Sequence, residues 1–148
     1  MKKQLFVLAT SALLMLGACS THRQCNQTRC DKHQQKEQAM RETPAYFAFD
    51  SSVLTMEDRD NLDEIAKRLM DNPKEKVKIC GFTDITGPKA YNQELSVRRA
   101  ESAAKYLEWK GIAADRITTK GYGATHFAEQ NTTASGRAKN RRIEVSFM

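Results

Sequence analysis

Two charged residues stand where the surrounding pattern calls for packing and turning rather than charge. Leu95, Ala103, Tyr106 and Leu107 recur at helical spacing, and Arg99 falls within that stripe, four residues from Leu95 and four from Ala103. A guanidinium does not give up its proton, so on an inward face it needs a carboxylate or must reach out to water. The candidate partner is Asp84, in the Thr83-Asp84-Ile85-Thr86-Gly87 turn that precedes the helix. Such a pair can be a structural salt bridge, or it can hold a ligand; Asp is also a favoured turn residue in its own right. Spacing alone leaves the salt bridge and the ligand site equally open.

Residues for covalent or metal chemistry do not gather around this pair. His126 stands apart from any nucleophile, and His22 and His33 lie in a polar N-terminal segment, so neither a hydrolase nor a peptidase is expected. Cys25 and Cys30, five residues apart, could close a small disulfide loop in an oxidising compartment. A zinc site there is disfavoured because no second cysteine pair completes it. Cys80, in a strand pattern, reads as a packed small side chain. No cofactor and no metal is expected.

The elements that must position Asp84 and Arg99 follow from periodicity. Ala45-Tyr46-Phe47-Ala48-Phe49 reads as a strand stopped by the Asp50-Ser51-Ser52 turn. Thr55 with Asp58 forms an acidic capping box, Leu62, Ile65, Ala66 and Leu69 repeat at helical spacing, and Asn72-Pro73 ends that helix. Val77 and Ile79 alternate with lysines up to Gly81. A second helix runs from about Lys89 to Lys110 and stops at Gly111. Ile117 and Thr119 open a third strand that breaks at Gly121-Tyr122-Gly123. After a long polar loop, Ile143, Val145 and Phe147 alternate in a last strand. The expected class is α+β: a βαβαββ order giving a small mixed sheet with two main helices packed on one face and the other face wet.

The first 43 residues differ in kind. Lys2 and Lys3 precede an apolar run from Leu5 to Leu16, long enough for a leader core and too short to span a bilayer. Leu16-Gly17-Ala18-Cys19 resembles a bacterial lipobox, which implies removal of residues 1–18 and acylation of Cys19. Ser20, in place of aspartate, favours sorting to the outer membrane with the domain in the periplasm. Residues 19–43, rich in Gln, Lys, Arg and Thr, read as a polar tether, and residues 44–148 as the folded domain. Of the formal charge of +6, Lys2 and Lys3 leave with the leader. The remaining excess is too modest, and the aromatics too few, to point to nucleic acid.

Five segments in register then carry a resemblance. Phe47-Ala48-Phe49-Asp50-Ser51-Ser52, Gly81-Phe82-Thr83-Asp84-Ile85-Thr86-Gly87, Tyr91 through Ala100, Gly121-Tyr122-Gly123 and Gly136 through Glu144 are similar, in order, to the motifs of the OmpA-like peptidoglycan-binding family, in particular its lipoprotein branch. The resemblance covers about Ala45 to the C-terminus. It implies that Asp84 binds the ammonium of meso-diaminopimelate in the peptidoglycan stem peptide and that Arg99 binds its carboxylate. It further implies that Thr83, Asn92, Leu95 and Arg141 line the pocket; for the rest of Arg137–Arg142 a solvated basic loop is the alternative reading. An amino-acid-like ligand has to enter, so a wet pocket is expected rather than a sealed pair. The branch also implies a wall tether with docking to the periplasmic TolB protein and concentration at division sites. A wall-binding lipoprotein outside that system fits equally. A motor stator, which shares the domain, would require a transmembrane helix that this sequence lacks. Two departures are noted: Phe82 replaces a usual histidine or tyrosine at the expected pocket rim, and Ala124-Thr125-His126-Phe127 replaces the usual residues after Gly123.

Overall fold

Helix α1, Met56–Asp71, forms where the sequence places its apolar residues three and four apart, and Leu62, Ile65, Ala66 and Leu69 are all buried. The Thr55 hydroxyl accepts the Asp58 amide, while the Asp58 carboxylate accepts the Thr55 amide at 2.8 Å, a reciprocal capping box. Helix α2, Lys89–Trp109, ends in a Schellman motif. Gly111, at φ 97°, donates to the Glu108 carbonyl, and Ile112 donates to that of Leu107.

The computed structural model describes residues 41–148. The expected leader, the expected acylation site Cys19, the Cys25 and Cys30 thiols and most of the expected tether lie outside the described residues. Four strands form one mixed sheet: β1 (Arg41–Tyr46), β2 (Val77–Gly81), β3 (Ile117–Gly121) and β4 (Arg142–Phe147), in the order β1-β4-β2-β3. β4 runs antiparallel to both β1 and β2, and β2 runs parallel to β3 across the α2 crossover. Val77, Ile79, Ile143, Val145 and Phe147 join the buried faces of α1 and α2 in one core. The expected architecture is therefore present, and no helix among the described residues is long and apolar enough to cross a membrane.

Two features differ from expectation. The first strand runs from Arg41 to Tyr46 rather than from Ala45 to Phe49, because its partner β4 reaches Ser146, opposite Arg41. Phe47 still donates to the Arg141 carbonyl, so the chain keeps pairing while it begins to turn. The polar loop contains a short helix α3, Ala134–Asn140, started by the Thr133 hydroxyl accepting from Gly136.

The outer sheet face is only partly wet. Side chains alternate, so Cys80 and Phe82, which flank Gly81, point away from the helices, yet both are buried, as is Arg142. The segment after β3 folds over them. Tyr122 stacks on Phe82 with centroids 5.3 Å apart, His126 meets both rings edge-on, and the Arg142 guanidinium sits 4.2 Å from the Phe82 ring centre. Arg142 thus belongs to a packed layer, not to a solvated loop.

One row of residues fixes where α2 lies. Ala45, Ile143, Gly81 and Gly121 sit opposite one another across all four strands. The two glycines leave a depression into which α2 settles. A Cβ at Gly81 would lie 2.0 Å from the Ser96 carbonyl oxygen, and one at Gly121 would lie 2.4 Å from Ser96 Oγ. The helix therefore rests backbone-on-backbone at Ser96, one turn from Asn92 on one side and one turn from Arg99 on the other.

Candidate functional site

Beyond the carboxyl ends of β1 and β2, the chain leaves a cleft of about 150 Å³. Its walls are the turn after β1, the 83–88 turn, the first half of α2, and Arg141 just before β4. All six residues expected to form a site line it: Thr83, Asp84, Asn92, Leu95, Arg99 and Arg141.

The charges are wired differently from the expected Asp84–Arg99 pair. Arg99 is fully buried, and its guanidinium donates to three backbone carbonyls: Phe82 at 2.7 Å, Ser51 at 2.8 Å and Ala48 at 3.2 Å. The Asp84 carboxylate instead forms its ion pair with Arg141, at 3.0 Å. The reason lies in chain geometry. Arg99 reaches carbonyls in the turn after β1 and at Phe82, just past β2, whereas Arg141, between α3 and β4, reaches Asp84. A second oxygen of Asp84 accepts the Thr86 amide at 2.8 Å, and Arg141 also donates to the Phe47 carbonyl at 2.9 Å. Asp84 is buried among these partners, yet it still lines the cleft.

These contacts set the protonation states. Burial pushes the Asp84 carboxyl up, but the Thr86 amide and the Arg141 guanidinium together outweigh it and hold the group below its usual 3.8. Arg99 is lowered to about 10, chiefly by burial and then by the charge of Arg141, with Asp84 acting in the opposite direction. Both groups are ionised at neutral pH. The cleft therefore holds two guanidiniums, Arg99 and Arg141, facing two carboxylates, Asp84 and Asp50, so it presents paired sites of both signs to a ligand.

The remaining expected residues complete the lining. Leu95 provides an apolar wall and Asn92 braces the turn, its amide nitrogen donating to the Thr86 carbonyl at 3.0 Å. The Oδ1 of Asn92 accepts no hydrogen bond from the described residues. The Thr83 backbone amide is fixed by the Gly123 carbonyl, and its buried hydroxyl has no hydrogen-bond partner among the described residues. An orphaned hydroxyl beside two guanidiniums and a carboxylate is a group waiting for a polar ligand. Phe82, by contrast, is not at the rim: its carbonyl serves Arg99 while its ring belongs to the outer-face stack.

Sequence reasoning did not single out Phe49, Asp50 or Tyr91 as site residues, although all three line the cleft. Asp50 adopts a left-handed φ of 55°, and the Tyr91 hydroxyl donates to its carboxylate across the mouth. The signal available was the Asp50-Ser51-Ser52 turn itself. An Asp heading a turn suits a left-handed bend, but nothing in the order of residues shows that the turn folds beside α2.

Comparison with known proteins bears on this site. The OmpA family model matches residues 46–141. Outer membrane protein A of Bordetella avium is 43% identical over 103 residues, covering 70% of this chain and 53% of that protein. The peptidoglycan-binding protein ArfA of Mycobacterium tuberculosis is 40% identical over 102 residues, covering 69% of this chain and 31% of that protein. The chain thus spans about a third to a half of the length of these relatives. Among solved structures, the peptidoglycan-associated lipoprotein of Burkholderia pseudomallei superposes with a TM-score of 0.68 at 26% identity, covering 70% of this chain and 87% of that one.

Proposed function

The chain belongs to the OmpA family, and we propose that it binds peptidoglycan non-covalently through the zwitterionic end of meso-diaminopimelate in the stem peptide. One observation carries this reading. A small cleft brings a carboxylate, two guanidiniums and an unpartnered hydroxyl within one amino-acid-sized volume. In it, Asp84 takes the ammonium, since each carboxylate oxygen has a lone pair left after Thr86 and Arg141 are served. The ligand carboxylate lies against the Arg99 and Arg141 side, and Thr83 donates its hydroxyl proton. Asn92 and Leu95 hold the turn and the aliphatic wall. A ligand lacking its ammonium forgoes Asp84, and one lacking its carboxylate forgoes the two guanidiniums, which makes the site selective.

The names borne by the Mycobacterium tuberculosis and Burkholderia pseudomallei proteins support a wall ligand. With acylation of Cys19, the domain would tie the outer membrane to the wall from the periplasmic side. Docking to TolB, which the sequence resemblance to the lipoprotein branch implies, is part of the same proposal and is tested by co-purification of the two proteins. The wall-binding reading is tested by comparing purified sacculi that carry diaminopimelate with sacculi that carry lysine at that position. Retention by the first alone is expected; equal retention by both would refute recognition of the second carboxylate.

A further inference from the structure

The cleft is too small for more than the end of its ligand. Its volume is about 150 Å³. A zwitterionic head and part of its methylene arm fill that space. The rest of a polymer-borne ligand must pass through the mouth, where Phe49 and Tyr91 stand.

These two rings are presented differently from other exposed apolar groups. Tyr91 is held on both sides, with the Arg98 guanidinium 5.5 Å from its ring centre and its hydroxyl on Asp50. Phe49 is 66% exposed and has no aromatic or cationic ring partner among the described residues. Yet its backbone is not loose. The carbonyls of Ala48 and Ser51, before and after it in the turn, both accept hydrogen bonds from buried Arg99. Asp50, next in the chain, is tied to Tyr91. An aromatic ring left in water on a turn clamped at both ends is preorganised to be covered without further ordering cost.

We infer that Phe49 and Tyr91 form a second subsite at the cleft mouth that takes the peptide flanking the zwitterion, so that a diamino acid carried in a peptide binds more tightly than the free diamino acid. The inference rests on the zwitterion-binding reading and adds the class of group recognised beside it. Phe49 packs on the apolar side of the flanking peptide, and Tyr91, fixed by Asp50 and Arg98, forms the opposite wall.

Titration calorimetry of the full chain with two probes, free meso-diaminopimelate and a stem tripeptide ending in it, tests the inference. Wild type should bind the tripeptide at least about fivefold more tightly than the free diamino acid. Phe49→Ala should lower tripeptide affinity about fivefold and leave the free diamino acid within about twofold, while Phe49→Leu should keep most of the preference. An equal loss for both probes, or no loss for either, overturns the second subsite and leaves the zwitterion reading standing. Failure of wild type to bind either probe overturns both.

Discussion

Arg99 shows how a charge can be built into a core without an ion pair. Three carbonyls replace its hydration, so the cation is tolerated but not neutralised, and burial lowers it to about 10. Asp84 is the counterpart, buried yet held ionised by Thr86 and Arg141. Asp84→Ala should leave the Thr86 amide and Arg141 under-satisfied, with two guanidiniums no longer separated by a carboxylate. We expect it to destabilise the fold by about 2–3 kcal/mol in chemical denaturation, as well as to abolish binding. The pH dependence follows from the same contacts. A carboxylate whose folded pKa is depressed contributes stability above its unfolded pKa and loses it as pH falls through the folded value. Wall binding should therefore be flat from about pH 5 to about pH 9 and lost in acid, below the ordinary carboxylate range. A transition near neutrality in a sedimentation series would contradict this, since neither Asp84 nor Arg99 titrates there.

At the scale of elements, α2 is the part that must not move, because Asn92, Leu95 and Arg99 all project from it. Its position depends on the glycine row. Gly81→Ala would drive a Cβ into the Ser96 carbonyl at 2.0 Å, a backbone contact that no rotamer change relieves. We expect a cost above about 3 kcal/mol, read as a fall of more than about 10 °C in melting temperature. The sequence made much of this level legible. The Leu62, Ile65, Ala66, Leu69 spacing, the Thr55–Asp58 box and the Gly111 stop all describe local rules, and α1 and α2 obey them. The first strand was misplaced because Ala45–Phe49 is apolar and aromatic, whereas pairing is decided by a partner about a hundred residues away. Helix α3 was hidden in the same way: Ala134–Asn140 is too short and polar to show a period, and Asn140 is buried by accepting the Ala128 and Glu129 amides.

At the scale of the whole molecule, the site is a meeting point of distant segments. The turn at 48–51, the turn at 83–88, the helix at 91–99 and Arg141 converge only because β4 enters between β1 and β2. That explains which parts of the site the sequence disclosed. Arg99 in an apolar stripe and Asp84 in its turn were visible as anomalies, and motif resemblance supplied Thr83, Asn92, Leu95 and Arg141. The pairing of Asp84 with Arg141 instead of Arg99 depends on which strand delivers which side chain, and spacing carries no information about that. The part played by Phe49 was invisible for the same reason. The central claim is that this assembled cleft holds the cell wall. Its most direct test is co-sedimentation of the purified chain with diaminopimelate-containing sacculi, comparing wild type with Asp84→Ala and Arg99→Ala after circular dichroism shows that each is folded. The account predicts that wild type pellets with the wall at moderate salt and that both variants stay in solution. Wild type remaining in solution, or variants pelleting as well as wild type, would contradict it.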